Sequence, residues 1–517
     1  MSRTKSSLKN LLAAAIGQAL GIIISMASRV VFLDILSEEY LGLSGLFSNI
    51  LTVFSLAELG VGQAMNFSLY KPLAEKNIPR IKSLMHLYKK AYITIGCLIA
   101  VIGIAFTPFY RVFMDNVPDI PMLTAIYWLF TLNTALSYFF SYKRALIICD
   151  EKRYIATVYR YGFYFFLNVI QMILLIITRN YILYLTAQVI FTLAENIAVS
   201  RKADIMYPYL KEKNIEKIPH ETLTEIKKNI SAMFMHKIGG MVVMSTDNLI
   251  LSRFVGLAAV GLYSNYFLIT DALNKVISQI FNSVVAGVGN LHADRTEQGS
   301  GKLQSTFNKI FFLNFWIYGF CACCLWVLFN PFISLWLRES LCFDDFTVLI
   351  IVINFYLTGM RKTTLMFREA TGAFYYDRWK PIIESLINII ASVFLAKRLG
   401  VSGVFLGTII STVAACLWVE PYVLYKYIFK KSVKEYFGKF AVYTAASLLA
   451  CAAASAVSGM ITLPNTLAAF ILKALVCVLI PNLIFLALFF KSENFAYFLG
   501  LVKKLFGSFL GKMFGKH

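Results

Sequence analysis

The sequence predicts an all-α membrane protein with about 14 transmembrane helices. Of its 517 residues, 58% are hydrophobic and 15% are charged, well below the roughly 25% of charged residues in an average soluble domain. Uncharged runs of about 20 residues recur along the chain, and as helices they are long enough to cross a hydrocarbon core of roughly 30 Å. A transmembrane β-barrel would instead show segments of about 10 residues with alternating polarity.

The predicted spans are apolar runs bounded by charged residues, and short connections join them. They cover residues 11–33, 41–67, 87–109, 121–142, 154–178, 181–200, 230–252, 259–288, 307–329, 346–366, 379–396, 402–425, 440–461 and 466–490. A basic N-terminus followed by an apolar run is typical of a secretory signal. That run exceeds the usual length of roughly 7–15 residues, so we expect a retained first helix.

The distribution of positive charge predicts the orientation of the chain. Most of its 49 lysines and arginines lie in alternate connections, such as Lys71 to Lys90, Lys143 to Arg160 and Arg201 to Lys237. Because positively charged loops are retained on the cytoplasmic side, these connections and both termini are predicted to be cytoplasmic. A net charge of +21 could suggest nucleic acid as a partner, but charges spread over many loops form no single basic patch, so we expect none.

Local matches at an offset of about 220 residues indicate an internal repeat. The segment NVI at Asn168 matches NII at Asn388, and IFTLA from Ile190 matches ISTVA from Ile410. Because six spans return the chain to its starting side, the two halves would have the same orientation and be related by an axis along the membrane normal. Chance similarity among helices rich in Leu, Ile and Phe is the alternative explanation.

The repeat predicts two six-helix lobes and two extra helices. The N-terminal lobe would cover residues 1–229, the C-terminal lobe residues 230–435, and the extra helices residues 436–490. In residues 491–517, aromatic and aliphatic residues at helical spacing alternate with lysines. We expect this cytoplasmic tail to form an amphipathic helix on the anionic inner leaflet.

Cysteine and histidine show no pattern of a metal or catalytic site. The nine cysteines lie mostly within apolar runs, including CACC at Cys321 to Cys324, where a thiol behaves as a small apolar group. The five histidines are isolated from one another in the sequence. We therefore predict no metal, no cofactor and no enzymatic activity.

One stretch near the N-terminus carries a family resemblance. It reads SRVVFLDILSEEYLGLSGLFSNILTVFSLAELGVGQAMNFSLYKPL, with Arg29 late in the first span, an acidic residue before Y-x-GL, and AELG-x-G leading to SLYKP. This stretch resembles the first two helices of the bacterial Wzx-type polysaccharide flippases, which export O-antigen or capsule repeat units. The fourteen spans and their six-plus-six-plus-two arrangement extend the resemblance over most of the chain.

The resemblance implies a member of the multidrug/oligosaccharidyl-lipid/polysaccharide exporter superfamily, with a MATE-like fold of two lobes around a central cavity. It implies a flippase in the bacterial cytoplasmic membrane that moves undecaprenyl-diphosphate-linked oligosaccharides from the cytoplasmic to the outer leaflet by alternating access. Its cargo would serve the biosynthesis of lipopolysaccharide or capsule. Membrane lipids, polysaccharide polymerase machinery and a coupling proton or sodium ion would be its further partners.

Such a cargo needs cations within the spans, because moving a bare diphosphate into hydrocarbon costs at least several kcal/mol. Arg29 is one candidate, either as a snorkelling side chain or as a cation of the cavity. The repeat places it opposite Asp247 of the seventh span, and we hypothesise that Arg29 and Asp247 form a closing pair on the outer side. Asp271 and Lys275 stand four residues apart in the eighth span, on one helical face. They form either a self-neutralising pair or a site in which Lys275 binds the diphosphate and Asp271 exchanges its charge.

Four further residues complete the set of candidates. Gln63 and Asn66 could hydrogen-bond sugars, and Lys473 would border the seam for the lipid tail. Glu58 lies in the cytoplasmic third of the second span, where its carboxylate either reaches water and nearby cations or takes part in gating or ion coupling. Next to it, Gly60 and Gly62 indicate close packing or a bend.

Three other functions remain open. A peptidoglycan-precursor flippase would differ only in the head group of its cargo, and a cation-coupled multidrug antiporter of the same superfamily usually has twelve spans. A membrane polysaccharide polymerase would need a sizeable outer loop with catalytic carboxylates or arginines. The largest outer loop, near Leu337 to Thr347, is short.

Overall fold

The regular structure is helical, and no strand occurs in the part of the chain that the structure describes. The structure is a computed structural model that describes residues 3–500 apart from residues 59, 116, 213, 217, 220–222, 225, 228–229, 231–245, 294–296, 374–375, 378 and 464–465. The α-helices are α1 (Arg3–Ile35), α2 (Glu38–Phe54), α3 (Val61–Ala74), α4 (Ile78–Ala105), α5 (Leu123–Phe139), α6 (Ser141–Cys149), α7 (Arg153–Thr178), α8 (Tyr181–Met206), α9 (Leu257–Ala293), α10 (Glu297–Trp336), α11 (Asp345–Met360), α12 (Lys362–Ala370), α13 (Lys380–Ser411), α14 (Val419–Val423), α15 (Lys434–Gly459) and α16 (Thr466–Phe489).

Many of these helices are long and apolar enough to cross a membrane. Among the described residues, nine segments meet this condition, and the bent pair of α5 and α6 adds a tenth if it forms one span. The prediction of an all-α, multi-pass membrane protein is confirmed. The count of 14 stays a prediction, and the seventh predicted span, 230–252, lies largely outside the described residues. So does most of the predicted amphipathic tail.

The chain divides into two compact units, Met1–Ser264 and Asn265–His517. The core of the first unit is formed by α3, α4, α6 and α8, with Leu69, Leu84 and Leu146 among its fully buried side chains. The predicted lobes at 1–229 and 230–435 stay predictions.

The second unit has an aromatic core. Phe315 of α10 stacks on Tyr443 of α15 with ring centroids 4.5 Å apart, and Phe485 of α16 packs against Phe315 at 4.8 Å. Aromatic side chains bury a large area each, and ring pairs add roughly 0.5–1.5 kcal/mol beyond that burial. The two extra helices are therefore packed on α10 as part of this unit.

A tight turn joins two antiparallel helices within α13. Gly400 has φ 58° and ψ −130°, a conformation that glycine adopts at little cost. Two hydrogen bonds connect the helices on either side of this turn. Asn388 donates one of 3.1 Å to the Thr408 hydroxyl, and Ser392 donates one of 3.0 Å to the carbonyl of Val404. These contacts hold together the segments predicted as spans 379–396 and 402–425.

Both units contain a helix that breaks near its end. The predicted span 121–142 ends three residues beyond α5, because α5 stops at Phe139 and the chain turns by 46° into α6. In the second unit, α11 ends at Met360 and α12 begins at Lys362. The short helices α6 and α12 have nine residues each. The break recurs at the spacing of the internal repeat.

Candidate functional site

The predicted second span, 41–67, is broken in the middle, so its prediction as one helix is wrong. Helix α2 ends at Phe54, a single 3-10 turn covers Ser55–Glu58, and α3 begins at Val61. Gly60 has φ 79°, in the left-handed region that costs other L-residues roughly 1–2 kcal/mol. The segment AELGVG therefore interrupts the helix inside the predicted second span, and Glu58 ends the 3-10 turn.

Tyrosine hydroxyls surround the Glu58 carboxylate. Tyr92 of α4 donates a hydrogen bond of 2.8 Å to Oε1 of Glu58. The hydroxyl of Tyr88, one turn earlier, lies 3.4 Å from that of Tyr92 and 3.3 Å from Oδ1 of Asn66. A side chain on Gly62 would approach the Tyr92 hydroxyl to 2.5 Å. The structure thus brings the predicted residues Glu58 and Asn66 into one polar cluster, which we call the Glu58 cluster.

The chemistry of the Glu58 cluster follows from its partners. Within the described ranges, Glu58 forms no ion pair with a lysine or arginine. Hydroxyl groups can hydrogen-bond both the ionised and the protonated form of a carboxyl group. Such a carboxylate can exchange a proton or a small cation without first breaking a salt bridge. Gln63 is exposed on the adjoining turn of α3.

Arg29 is held near the end of α1 by a neighbouring helix. Its Nη1 donates a hydrogen bond of 2.6 Å to the hydroxyl of Ser264 in α9, and Ser264 in turn bonds the carbonyl of Gly261 at 2.6 Å. Asp247 is half-buried and lies in the helical residues 246–254. The pair of Arg29 and Asp247 stays a prediction.

Asp271 and Lys275 of α9 lie beside each other on one face of the helix. The Lys275 Nζ is 2.5 Å from Oδ2 of Asp271, and the two side chains are 56% and 33% exposed. An exposed pair of this kind contributes about 0–1 kcal/mol to stability, so breaking it to bind an anion costs little. Lys473 is half-buried in α16, and its role, like that of Lys275, stays a prediction.

A buried ionic cluster occupies the broken helix of the second unit. Arg361 lies at the break between α11 and α12, and its guanidinium donates to both oxygens of Glu420 at 3.0 and 2.7 Å. Lys380 also pairs with Glu420, and Glu384 lies 3.7 Å from Arg361 and 3.8 Å from Lys380. All four residues are buried. We call these residues the Arg361 cluster.

The first unit has ion pairs at the corresponding place. Lys143 of α6 pairs with Asp204 of α8 at 2.7 Å, and Arg144 pairs with Glu195 at 2.5 Å. In both units, cations at the break of one helix bind carboxylates of a helix further along the chain. Two buried carboxylates and two buried cations balance each other in the Arg361 cluster, so these charges fix the broken helices rather than bind a ligand.

Comparisons with known proteins rest on structure. No protein-family model and no curated protein matches the sequence. A solved structure of the lipid II flippase MurJ in an inward closed conformation superposes with a TM-score of 0.67, covering 93% of this chain and 98% of that one at 14% identity. The inward-facing conformation of a multidrug resistance MATE family transporter of the MOP superfamily gives 0.61 over 80% of this chain and 98% of that one, also at 14% identity. The chain has a MATE-like fold.

The outward-facing conformation of a multidrug resistance MATE family transporter gives a TM-score of 0.54 at 14% identity, over 82% of this chain and 96% of that one. At these identities the likeness establishes the fold alone. The fold class expected from the resemblance of the sequence is confirmed.

Sequence reasoning missed several polar residues that the structure brings together. Tyr88 and Tyr92 stand four residues apart, which places both hydroxyls on the face of α4 that meets Glu58, yet tyrosines are too common in this chain for the spacing to stand out. Arg160 is predicted both as the last cation of a cytoplasmic row and as part of the span 154–178, and the structure places it within α7.

Proposed function

We propose that the protein is a flippase that moves undecaprenyl-diphosphate-linked oligosaccharides from the cytoplasmic to the outer leaflet of the bacterial cytoplasmic membrane. The observation that carries this proposal is the likeness of fold to a lipid II flippase over 93% of the chain. Both termini would be cytoplasmic, and the cargo would serve a cell-surface polysaccharide such as lipopolysaccharide or capsule. Alternating access of the two lobes would carry the head group across.

The candidate residues support this cargo. Arg29 lies in α1, which is long and apolar enough to cross a membrane, and Lys275 lies in the predicted span 259–288. Charged side chains are rare in membrane spans and mark substrate pathways. Lys275 has more than half of its side chain exposed and only a weak intrahelical partner. We assign these two side chains to the diphosphate, and Gln63 and Asn66 to the sugars. Lys473 of α16 would lie beside the lipid tail.

The Glu58 cluster supports a coupled mechanism. Glu58 is a carboxylate whose described partner is the hydroxyl of Tyr92 rather than a cation, so a proton or a sodium ion could bind it as the chain changes conformation. Asp271 and Asp247 are the other carboxylates that we assign to gating or coupling.

Two other transport functions have specific support. A peptidoglycan lipid-precursor flippase is favoured by the likeness of fold to the lipid II flippase MurJ. A multidrug antiporter is favoured by the MATE transporter neighbours. We rank a membrane polysaccharide polymerase below both.

The test is deletion of the gene in its host, followed by complementation with the wild-type chain. We expect lipid-linked oligosaccharide to accumulate on the inner leaflet and surface polysaccharide to disappear, with both effects reversed by complementation. Accumulation of lipid II instead would establish the peptidoglycan alternative. Unchanged levels of both lipids together with increased drug sensitivity would establish the antiporter.

A further inference from the structure

Two cysteines of α10 lie where this helix meets α15 and α16. The segment CACC places Cys323 and Cys324 next to each other, and successive residues of an α-helix point about 100° apart around its axis. The Cys323 thiol faces α15, where it lies 3.6 Å from the carbonyl of Ser447. The Cys324 thiol faces α16 and lies 3.9 Å from the carbonyl of Cys477. Each of the two extra helices thus meets one thiol of α10.

Two sulfur atoms lie in close contact between α10 and α15. Sγ of Cys451 in α15 is 2.8 Å from Sγ of Cys323. Non-bonded carbon atoms pack at roughly 3.5–4.0 Å, and sulfur is the larger atom. A thiol is only a weak hydrogen-bond donor and acceptor, so a hydrogen bond between two thiols does not account for so short a contact. The packing of α10 on α15 brings these two sulfurs within reach of a covalent bond.

The neighbours of the two thiols fix the register of this contact. Both helices advance by four residues from one contact to the next, and the successive contacts are Phe315 with Tyr443, Gly319 with Ser447, and Cys323 with Cys451. The two rings stack with their centroids 4.5 Å apart, and a Cβ on Gly319 would lie 2.6 Å from the Ser447 hydroxyl. Residues four apart lie on one face of a helix. The thiols therefore meet because α10 and α15 run in the same direction and pack closely on both sides of Gly319.

The surroundings of the two thiols are apolar. Cys323 is fully buried, and Cys451 is partly buried on a stretch of α15 where Leu448 and Leu449 are exposed. A disulfide is reduced when a thiolate reaches one of its sulfurs. An apolar contact between two helices excludes a charged, water-soluble thiolate, so a disulfide at this place would persist in the folded protein.

We propose that Cys323 and Cys451 form a disulfide bond that ties α15 to α10. The co-reactant is a disulfide donor on the outer side, of the class that oxidises proteins outside the cytoplasm, and it acts before the two helices have packed. One cysteine attacks the donor disulfide to give a mixed disulfide, and the other cysteine then displaces the donor. The two cysteines are oxidised, and the donor leaves as a dithiol with their two hydrogens. This bond is independent of the cargo proposed above.

The bond would restrain a large part of the second unit. It joins residues 128 positions apart and closes a loop that contains α11 to α14. A cross-link over so long a loop stabilises a protein mainly by restricting its unfolded chain. The bond would also keep α15 on α10 through any change of conformation.

The test is a disulfide map of the full-length protein. Membranes of cells that express the chain are dissolved in SDS with excess N-ethylmaleimide, which blocks free thiols before they can oxidise, and the peptides are analysed by mass spectrometry without reduction. We expect a linked peptide pair that joins Cys323 and Cys451, with N-ethylmaleimide on the remaining cysteines. N-ethylmaleimide on both Cys323 and Cys451 in most molecules, or a link from Cys323 to another cysteine, would overturn the proposal.

Cysteine variants test the bond by a second measurement. Cys451→Ala should lower the apparent melting temperature by several degrees, and adding Cys323→Ala should lower it little further, because the bond is already lost. Cys477→Ala is the matched control, since it removes a fully buried thiol of α16 and should keep the link between Cys323 and Cys451. A fall for Cys451→Ala no larger than that for Cys477→Ala would contradict the bond. If Cys451→Ala does not fold, the peptide map of the wild type decides alone.

Discussion

The hydroxyl of Tyr92 donates a hydrogen bond of 2.8 Å to the carboxylate of Glu58 across the break in the second span. Two features of the chain create this contact. The left-handed Gly60 ends the 3-10 turn at Glu58, and Gly62 leaves room for the Tyr92 hydroxyl. A carboxylate inside a membrane protein is thereby satisfied without a cation.

The contact between Tyr92 and Glu58 should contribute to stability. A hydrogen bond to a charged group is worth about 1.5–3 kcal/mol, so Tyr92→Phe should lower the apparent melting temperature in detergent. In a double-mutant cycle with Glu58→Gln, the two losses should add up to more than the loss in the double variant. Fully additive losses would show that the two side chains do not interact. Tyr70→Phe, on an exposed ring of α3, is the control for removal of a hydroxyl.

Gly62 should not tolerate a methyl group. A Cβ there would lie 2.5 Å from the Tyr92 hydroxyl and 2.6 Å from Oε1 of Glu58, so Gly62→Ala must displace the Glu58 cluster and lower the melting temperature. Gly438→Ala is the control, because no described atom lies within 4 Å of a Cβ at that position in α15. A helical Gly→Ala change without clashes stabilises by roughly 0.5–1 kcal/mol. Equal effects of the two variants would contradict the prediction.

The Arg361 cluster should be sensitive to loss of one charge. Glu420→Gln leaves Arg361 and Lys380 buried with Glu384 as their remaining anion, and breaking a buried ion pair costs about 3–5 kcal/mol. We expect a low yield of folded protein and a large fall in its melting temperature. Glu75→Gln removes an exposed carboxylate that lies 4.0 Å from Lys71, and it should cost about 1 kcal/mol or less. Similar stability of the two variants would show that the buried cluster does not hold the broken helix.

Lys275 should be needed for export rather than for folding. Because its side chain is exposed and its pair with Asp271 is intrahelical, Lys275→Ala should insert and melt like the wild type. If Lys275 binds the diphosphate, complementation by this variant should restore little or no surface polysaccharide. Lys309→Ala, in the adjoining helix α10, is the control for loss of a positive charge. Full export by Lys275→Ala would eliminate this role and leave a self-neutralising ion pair.

The predicted pair of Arg29 and Asp247 can be tested by charge reversal. Arg29→Asp and Asp247→Arg should each abolish export, since each leaves two like charges in the membrane region. Combining both reversals should restore export in part if the two side chains form a closing pair. Absence of rescue, with both proteins inserted at normal levels, would rule the pair out. Protease accessibility of the outer loops would report whether the outer side still closes.

Much of the fold could be predicted from residue patterns alone. Apolar runs reveal membrane helices because each run must match the thickness of the bilayer, and the segments 154–178 and 466–490 agree closely with α7 and α16. The breaks could not be predicted so well. The chain between Phe139 and Ser141 contains no glycine or proline, and the bend there accompanies the ion pairs of Lys143 and Arg144 with α8.

The candidate site was predictable only in part, because its members come from different segments of the chain. Glu58 and Asn66 stand out because polar groups are rare in apolar segments, but their tyrosine partners come from α4, a different segment of the chain.

The sequence by itself determined that this protein is a helical membrane protein and which segments carry charge inside it, because solvation by lipid acts on each segment separately. The tertiary structure decided which of those charges have partners. Glu420 is neutralised by Arg361 and Lys380, Glu58 is held by a hydroxyl, and Arg160 remains without a carboxylate among the described residues. Hydrogen bonds and ion pairs act over a few ångströms, so only the packing of distant helices against one another determines these partners.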